Sequence, residues 1–210
     1  EHNFSYEIFI FDDASGDRTG EIADKLAIED PNIRVFHNSK NRNLGYNFRE
    51  GIKLASKNYT GLLPCHGLTD PKSFDSVLMA LDKADAVITY IANPEIRPLP
   101  RRIISWFNVA LLNLIFGLRL KYYHLNFYRT EILKKIPTST LSYALMVELL
   151  VYTVKSGATF IQVPFFLRKR VSGKSKALRL KNIINILKTY ACLFWRLRVL
   201  GQRISLGKEK

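Results

Sequence analysis

The stretch EIFIFDDASGDRTGEIADKLA at residues 7–27 decides the fold. Its first five residues form a short apolar run, typical of a buried strand, which stops abruptly at Asp12 and Asp13. The Ser-Gly-Asp turn that follows can cap a helix, which we expect over residues 18–29 and which Pro31 ends. A strand and a helix in this order form the first half of a βαβ unit.

Strand and helix patterns continue to alternate along the rest of the chain. The later strands are predicted at residues 33–37, 60–64, 86–91, 122–128 and 159–163, the last closed by Pro164. The later helices are predicted at residues 46–57, 71–83, 103–117 and 142–156, with a long one from about residue 177. This order predicts an α/β domain with a mostly parallel sheet flanked by helices.

Positive charge is concentrated at the end of the chain. The 210 residues hold 32 Lys and Arg against 18 Asp and Glu, a net charge of +14. Residues 168–210 alone hold 13 of the basic residues and one acidic residue. We therefore predict a nearly neutral domain over residues 1–167 and a basic extension over residues 168–210. This asymmetry indicates a polyanionic partner, either nucleic acid or an anionic membrane face.

Cysteine content and hydropathy restrict the compartment. Cys65 and Cys192 are too few for a disulfide scaffold or a zinc cluster, which suits a reducing compartment. The first residues do not have the pattern of a secretory signal, so we expect a cytoplasmic protein. The most apolar run, residues 103–118, is shorter than the ~20 residues that span a bilayer, and it fits either a core helix or an in-plane membrane helix.

The last predicted helix is amphipathic. One face carries Leu180, Ile183, Ile184, Leu187, Ala191 and Phe194. The opposite face carries Lys181, Asn185, Lys188, Cys192 and Arg196. Packing on the domain and binding at a membrane interface both agree with this pattern.

Asp12 and Asp13 lie where open α/β sheets bind ligands, at the carboxyl end of a predicted parallel strand. Two adjacent carboxylates repel each other unless a cation, hydroxyl groups or backbone donors neutralise them. Capping of the next helix is the alternative role. Neither G-x-G-x-x-G nor G-x-x-x-x-G-K-[ST] occurs at this strand, which disfavours a dinucleotide site and a phosphate-cradling ATPase loop.

These residues resemble family 2 glycosyltransferases of the GT-A fold. The run FDDASGDRTGEIADKLA is similar to their V-D-D-x-S-x-D-x-T segment, and four further segments agree in order and spacing. They are Asn41 to Asn47 with Gly51 and Ala55, Asn126 to Arg129 before a short helix, the helix with Glu148, and Arg170 to Lys176. The last of these resembles the R-x-x-G-x-S-K element of dolichol- and bactoprenol-phosphate sugar synthases.

The resemblance implies transfer of a sugar from a UDP- or GDP-sugar to a polyisoprenyl phosphate. The residues that it implies for nucleotide-sugar binding are Asp12, Asp13, Asn41, Gly45, His66 and Ser175. Those that it implies for catalysis are Glu148, on the acceptor side, with Arg170 and Lys176 at phosphate oxygens. It also implies Mg²⁺ or Mn²⁺ as cofactor, with His66 and Asp70 as the candidate ligands in this chain.

Two departures from the family pattern concern the donor site. Family members usually have a strand and loop, P-x-Y-N-E, ahead of the Asp-Asp strand, so we expect an N-terminally incomplete domain. The metal-binding D-x-D is expected after the strand at residues 60–64, where Cys65-His66-Gly67-Leu68 stands instead. Mg²⁺ and Mn²⁺ prefer hard oxygen ligands, so this D-x-D is degenerate.

Three functions follow as hypotheses. The first is sugar transfer by a peripheral enzyme at the cytosolic face of a membrane, with an anionic bilayer as its partner. The second is a glycosyltransferase-like domain that no longer catalyses and serves in binding or membrane docking. The third, nucleic-acid binding through the basic extension, is disfavoured because no recognised reader motif accompanies the charge.

Overall fold

The computed structural model describes residues 4–65, 69–121, 123–169 and 180–201. Its strands are β1 (Ile8–Asp12), β2 (Ile33–His37), β3 (Tyr59–Gly61), β4 (Ala86–Ile91), β5 (Tyr123–Arg129) and β6 (Phe160–Phe165). Its α-helices are α1 (Thr19–Glu29), α2 (Leu44–Leu54), α3 (Ser73–Leu78), α4 (Leu99–Phe116), α5 (Thr130–Lys135), α6 (Leu145–Lys155) and α7 (Leu180–Phe194). One π-helical turn, Trp195–Val199, follows α7.

The strands form two sheets. β1 and β2 pair in parallel, and the other four strands follow the order β3-β5-β4-β6. Within the larger sheet β5 is antiparallel to β3 and β4, whereas β4 and β6 are parallel. In the larger sheet, as far as the structure describes it, β3, β4 and β6 therefore share one direction and β5 runs against them. The predicted α/β domain with a mostly parallel sheet is confirmed.

Glu7 connects the two sheets at one end. Its carboxylate accepts hydrogen bonds from the backbone N–H of Ser56 at 2.6 Å and of Lys57 at 3.0 Å, just ahead of β3. The amino ends of β1 and β3 therefore lie close together. Within β1 only Asp12 is buried, whereas β4 is buried at every position except Tyr90. β1, in the two-stranded sheet, is thus less buried than β4 in the larger sheet.

The larger of two hydrophobic clusters in the described residues lies between the larger sheet and the helices α4, α6 and α7, and the smaller one joins α3 to β4, β5 and β6. Helix α6 is the centre of the larger cluster, with Leu145, Leu149, Leu150 and Val151 all without exposed surface. Helix α7 packs against both α4 and α6. The Tyr190 ring of α7 meets Phe116 edge to face, and its hydroxyl donates to Asn108 at 2.9 Å. The described part of the basic extension is therefore packed on the domain.

The face of α7 that packs on the core differs from the predicted one. The core side consists of Ile186, Tyr190 and Leu193, with Leu197 in the turn that follows. The predicted stripe instead leaves Ile184, Leu187, Ala191 and Phe194 exposed. The helix has apolar residues on two neighbouring faces, so periodicity alone could not choose the face that contacts the domain.

Strand β6 continues through the proline that was expected to end it. Pro164 pairs with Tyr90, and Phe165 extends the pairing by one residue. β6 is the edge strand of its sheet, so a missing N–H there removes no bond to a second neighbour.

Helix α3 is shorter than its predicted range of 71–83 and β3 ends earlier than expected. Of the helices in the described residues, none combines the length and apolar character needed to cross a bilayer.

Candidate functional site at the carboxyl edge

The carboxylate of Asp13 organises the loop at residues 38–43. One oxygen accepts hydrogen bonds from the backbone N–H of Arg42 at 2.7 Å and from the side-chain amide of Asn38 at 2.9 Å. The other oxygen accepts the N–H of Asn43 at 3.0 Å. Burial acts to raise the pKa of Asp13, but these donors stabilise the carboxylate more strongly and the net pKa is lowered. Asp13 is thus an ionised anchor for the loop.

The loop beside Asp13 includes a strained residue. Asn43 has φ 72° and ψ 156°, a backbone conformation that is nearly confined to glycine. Its N–H also donates to the Asn41 side chain at 3.2 Å, and the Asn41 amide lies 3.5 Å from the Asp13 carbonyl oxygen. The structure therefore brings two predicted nucleotide-site residues, Asp13 and Asn41, together around the start of α2.

Asp12 is part of a chain of titratable groups that the sequence did not predict. Its carboxylate accepts the Ser15 N–H at 3.1 Å and lies 3.2 Å from Nδ1 of His37. The Nε2 of the same ring lies 2.9 Å from Asp24 on α1. Hydrogen bonds from Ser15, then from His37, lower the pKa of Asp12. Asp24, then Asp12, raise the pKa of His37.

This cluster predicts a pH dependence of stability. The raised pKa of His37 means that its stabilising contribution is complete below the ordinary His pKa of about 6.5 and is lost as pH rises through the higher folded pKa. In the unmodified chain we expect the free energy of unfolding to fall with rising pH, and in His37→Gln we expect this fall to be absent. Urea titrations between about pH 6 and 8 measure it. Asp24→Asn should make the fall of the free energy of unfolding with pH less steep. An unchanged slope in His37→Gln would contradict the assignment.

Gly45 lies where the start of α2 meets the loop ahead of α6. A Cβ at this position would lie 2.6 Å from the backbone oxygen of Leu141 and closer still to that of Ser142. Only a residue without a side chain allows this approach. The loop at residues 139–142 is thus pressed against the loop that Asp13 holds.

Gly45→Ala is therefore expected to destabilise the fold. The new methyl group meets backbone atoms rather than a side chain that can move, so we expect a loss of about 1–3 kcal/mol in the free energy of unfolding. Chemical denaturation measures it. Gly16→Ala is the matched control, because nothing lies within 4 Å of a Cβ there. Equal stability of the two variants would show that the loops are not in contact.

Glu148 is a buried carboxylate that fixes the same loop. Only 1% of the residue is exposed, and it accepts hydrogen bonds from the N–H and hydroxyl of Ser139 and from the N–H of Thr140. The Arg196 guanidinium, in the turn after α7, lies 3.9 Å from it. Its contacts connect α6, the loop and the end of the chain. Its catalytic role stays a prediction.

Asp70 faces a guanidinium rather than a cluster of ligands. Its carboxylate accepts the Lys72 N–H at 3.2 Å and lies 3.5 Å from the Arg168 side chain. Among the described residues, no three His, Cys, Asp or Glu side chains are grouped so that they could hold a metal ion. Asp70 is therefore not grouped with other metal-binding side chains among the described residues. The other predicted residues of this edge, His66, Arg170, Ser175 and Lys176, lie outside the described residues.

A polar cavity lies at the opposite end of the sheet. It has a volume of about 380 Å³ and is lined by residues 55–58 together with Arg129, Thr130, Glu131 and Lys134. Asn58 precedes β3, and Arg129 pairs with the first residue of that strand, so this cavity is at the amino end. It contains none of the predicted site residues.

Sequence reasoning missed three side chains of the site. His37 ends β2, Asn38 follows it, and Asn47 on α2 accepts the Asn38 amide at 2.8 Å. The available signal was position: polar residues directly after β2 reach the same edge as those after β1, because parallel strands end together. Asn38 thereby joins Asp13 to α2.

The chain is similar in sequence to known proteins. Residues 3–140 match the family model described as glycosyl transferase family 2. The undecaprenyl-phosphate mannosyltransferase of Micrococcus luteus is 28% identical over 182 residues, which cover 81% of this chain and 75% of that protein. The polyprenol monophosphomannose synthase of Mycolicibacterium smegmatis is 27% identical over 183 residues, covering 80% and 69%.

Solved structures share the fold. Glucosyl-3-phosphoglycerate synthase from Mycobacterium tuberculosis, in complex with phosphoglyceric acid, superposes with a TM-score of 0.65 at 15% identity, covering 89% of this chain and 68% of that one. Its complex with uridine diphosphate gives 0.62 at the same identity and coverage. The likeness confirms the GT-A fold that the sequence resemblance implied.

Proposed function

The chain belongs to glycosyl transferase family 2 and is a glycosyltransferase of the GT-A fold, and from this premise we propose that it moves a sugar from a nucleotide diphosphate sugar to a polyisoprenyl phosphate. The proposed location is the cytosolic face of a membrane, where the enzyme binds peripherally. The names of the two relatives support a lipid phosphate acceptor. The observation that carries the proposal is the apolar surface left exposed on α4 and on α7, the latter being part of the predicted basic extension.

The donor site is proposed at the carboxyl edge of β1. Asp13 accepts three hydrogen bonds from the loop at residues 38–43, and the preceding residue, Asp12, has a carboxylate that Ser15 and His37 orient. Carboxylates in such positions can accept hydrogen bonds from ribose hydroxyls and base N–H groups. We propose that these residues, with Asn41 and Gly45, bind the nucleoside of a UDP- or GDP-sugar.

The proposed reaction needs little proton transfer. An oxygen of the acceptor phosphate attacks the anomeric carbon of the sugar, the bond from that carbon to the donor diphosphate breaks, and the nucleoside diphosphate leaves. Because the acceptor is already an anion, no strong base has to activate it. Cations that bring two anionic substrates together and neutralise the leaving group supply most of the required stabilisation.

The helices α4 and α7 present the proposed membrane surface. We define the α4–α7 apolar surface as the exposed side chains Leu99, Ile103, Trp106, Phe107, Leu114, Ile184, Leu187, Phe194 and Trp195. Leu114 is 82% exposed and Trp106 69% exposed. Large exposed apolar side chains grouped on a helix face are typical of interaction surfaces, and Trp is favoured at the bilayer interface. Lys188 and Arg198 are exposed on the same C-terminal segment and suit anionic lipid.

Charge substitutions on this surface test the docking. We expect Trp106→Glu combined with Leu114→Glu to reduce binding to vesicles of phosphatidylglycerol and phosphatidylcholine by about 10-fold or more, measured by co-sedimentation. Ile28→Glu is the matched control, because Ile28 is 85% exposed on α1, outside the surface. Equal loss in the control, or full binding by the double variant, would contradict docking through α4 and α7.

Sugar transfer itself is tested with labelled donors. The 210-residue chain is incubated with UDP- or GDP-linked radiolabelled hexoses and vesicles that contain a polyprenyl phosphate. We expect label to enter the solvent-extractable lipid with one of the donors and to stay in the aqueous phase when the polyprenyl phosphate is left out. Absence of lipid-bound label with every donor would contradict the proposal.

A further inference from the structure

The ring of His37 lies between two carboxylates that belong to different elements. Its Nδ1 is 3.2 Å from Asp12 at the end of β1, and its Nε2 is 2.9 Å from Asp24 on α1. Helix α1 approaches this pair closely, since a Cβ on Gly20 would lie 2.9 Å from the Asp12 carboxylate and 3.3 Å from the ring. The titratable groups that face His37 are thus Asp12 from β1 and Asp24 from α1.

Both contacts of the ring are hydrogen bonds only when it carries two protons. A neutral imidazole has one N–H and one lone pair, so it can donate to only one of two carboxylates. Its other nitrogen then turns a lone pair toward a carboxylate oxygen, and the two repel. The imidazolium form donates to both, in agreement with the raised pKa of His37, which hydrogen bonds to Asp24 and then to Asp12 cause.

The protonated ring fixes the orientation of the Asp12 carboxylate. The Ser15 N–H donates to one of its oxygens at 3.1 Å, and His37 faces the other. The two oxygens therefore have different partners, which sets the rotation of the carboxylate group. When the ring loses a proton, one of its two carboxylate contacts becomes repulsive, so the ring no longer holds its position against Asp12.

We propose that protonated His37 is a positioning residue of the donor site, which holds Asp12 for the nucleoside and makes donor binding weaken as pH rises. This inference rests on the proposed function. A second effect has the same sign, because the imidazolium offsets the negative charge of Asp12 and Asp24 beside a site for an anionic nucleotide. Since the folded pKa of His37 is raised, its contribution to binding is complete below about pH 6.5 and is lost as pH rises through that folded pKa.

Calorimetric titration of the 210-residue chain with UDP and with GDP, at several values between about pH 5.5 and 8.5, tests the proposal. For the nucleotide that binds, we compare the Kd of the unmodified chain with that of His37→Gln at each pH. We expect the ratio of the two to rise about 3- to 10-fold over this range, because one charge-assisted hydrogen bond is lost only in the unmodified chain. The phosphate of the nucleotide titrates near pH 6 in both measurements alike, so it cancels in the ratio.

Asp24→Asn is the second variant, and it removes one of the two carboxylates that favour the imidazolium. We expect the pH midpoint of the change in Kd to move to a lower value than in the unmodified chain. Asp24 is exposed, so this comparison keeps the proposal testable even where His37→Gln is unfolded. Glu29→Gln is the matched control, because it removes an exposed carboxylate from the same helix, more than one turn from Asp24, and it should leave the midpoint in place.

The outcomes separate this inference from the proposed function. A Kd ratio that stays constant with pH, or an Asp24→Asn variant that keeps the midpoint of the unmodified chain, overturns the proposal and leaves the proposed function standing, since the donor nucleotide still binds. An equal shift of the midpoint in Glu29→Gln overturns the assignment to the contact between His37 and Asp24. Binding of neither nucleotide at any pH overturns both.

Discussion

Asp13→Ala is expected to weaken nucleotide binding by about 10- to 100-fold, as read by calorimetry. The carboxylate accepts three hydrogen bonds from the loop at residues 38–43, and one of them holds Asn43 in its strained conformation. Removing the carboxylate leaves these donors without their acceptor and frees Asn43 to relax. The loop then no longer presents a single conformation to the nucleoside, and ordering it again costs binding free energy.

Two variants separate this account from a general effect of charge. Asp13→Asn keeps one acceptor oxygen and should lose less affinity than Asp13→Ala. Asp75→Ala removes an exposed carboxylate in the first turn of α3 and should leave binding unchanged. If Asp13→Ala binds the nucleotide as tightly as the unmodified chain, the loop at residues 38–43 is not part of the donor site.

Glu148→Ala is expected to lower the free energy of unfolding by about 3 kcal/mol. The substitution removes the acceptor of the Ser139 and Thr140 N–H groups and leaves Arg196 without its buried partner. A cavity at a fully buried position adds to the loss. Denaturant unfolding followed by circular dichroism measures the change.

The control substitutions for Glu148 also address its catalytic role. Glu148→Gln keeps the shape and one acceptor oxygen and should cost less stability, whereas Glu131→Ala, exposed on α5, should cost little. A Glu148→Gln variant that keeps its stability but loses turnover would indicate a catalytic carboxylate. Loss of stability and turnover in proportion would indicate that Glu148 acts through the loop at residues 139–142.

The sequence predicted the parts of the fold that depend on local pattern. β2 and β4 have the predicted bounds because each is rich in β-branched and aromatic residues and lies between clear turn signals. The carboxyl-edge position of Asp12 and Asp13 followed from strand order alone. Asp13 and Asn41 contact each other in the structure, and their role in nucleotide binding stays a prediction.

The remaining features depend on contacts between distant residues. His37 meets Asp12 and Asp24 only because β2 pairs with β1 in a particular register. The buried face of α7 depends on where α4 and α6 lie, and the tolerance of Pro164 depends on β6 being an edge strand. A pattern of one chain segment contains no information on its neighbour, so these features could be seen only in the assembled fold.

The most direct test of the account is the mass of the lipid product. The chain is incubated with polyprenyl phosphate and the donor that labels it, and the lipid and the released nucleotide are analysed by mass spectrometry. Glycosyl transfer predicts a lipid that has gained one sugar and keeps a single phosphate, together with a nucleoside diphosphate. A lipid diphosphate sugar with a nucleoside monophosphate, or a lipid of unchanged mass, would contradict it.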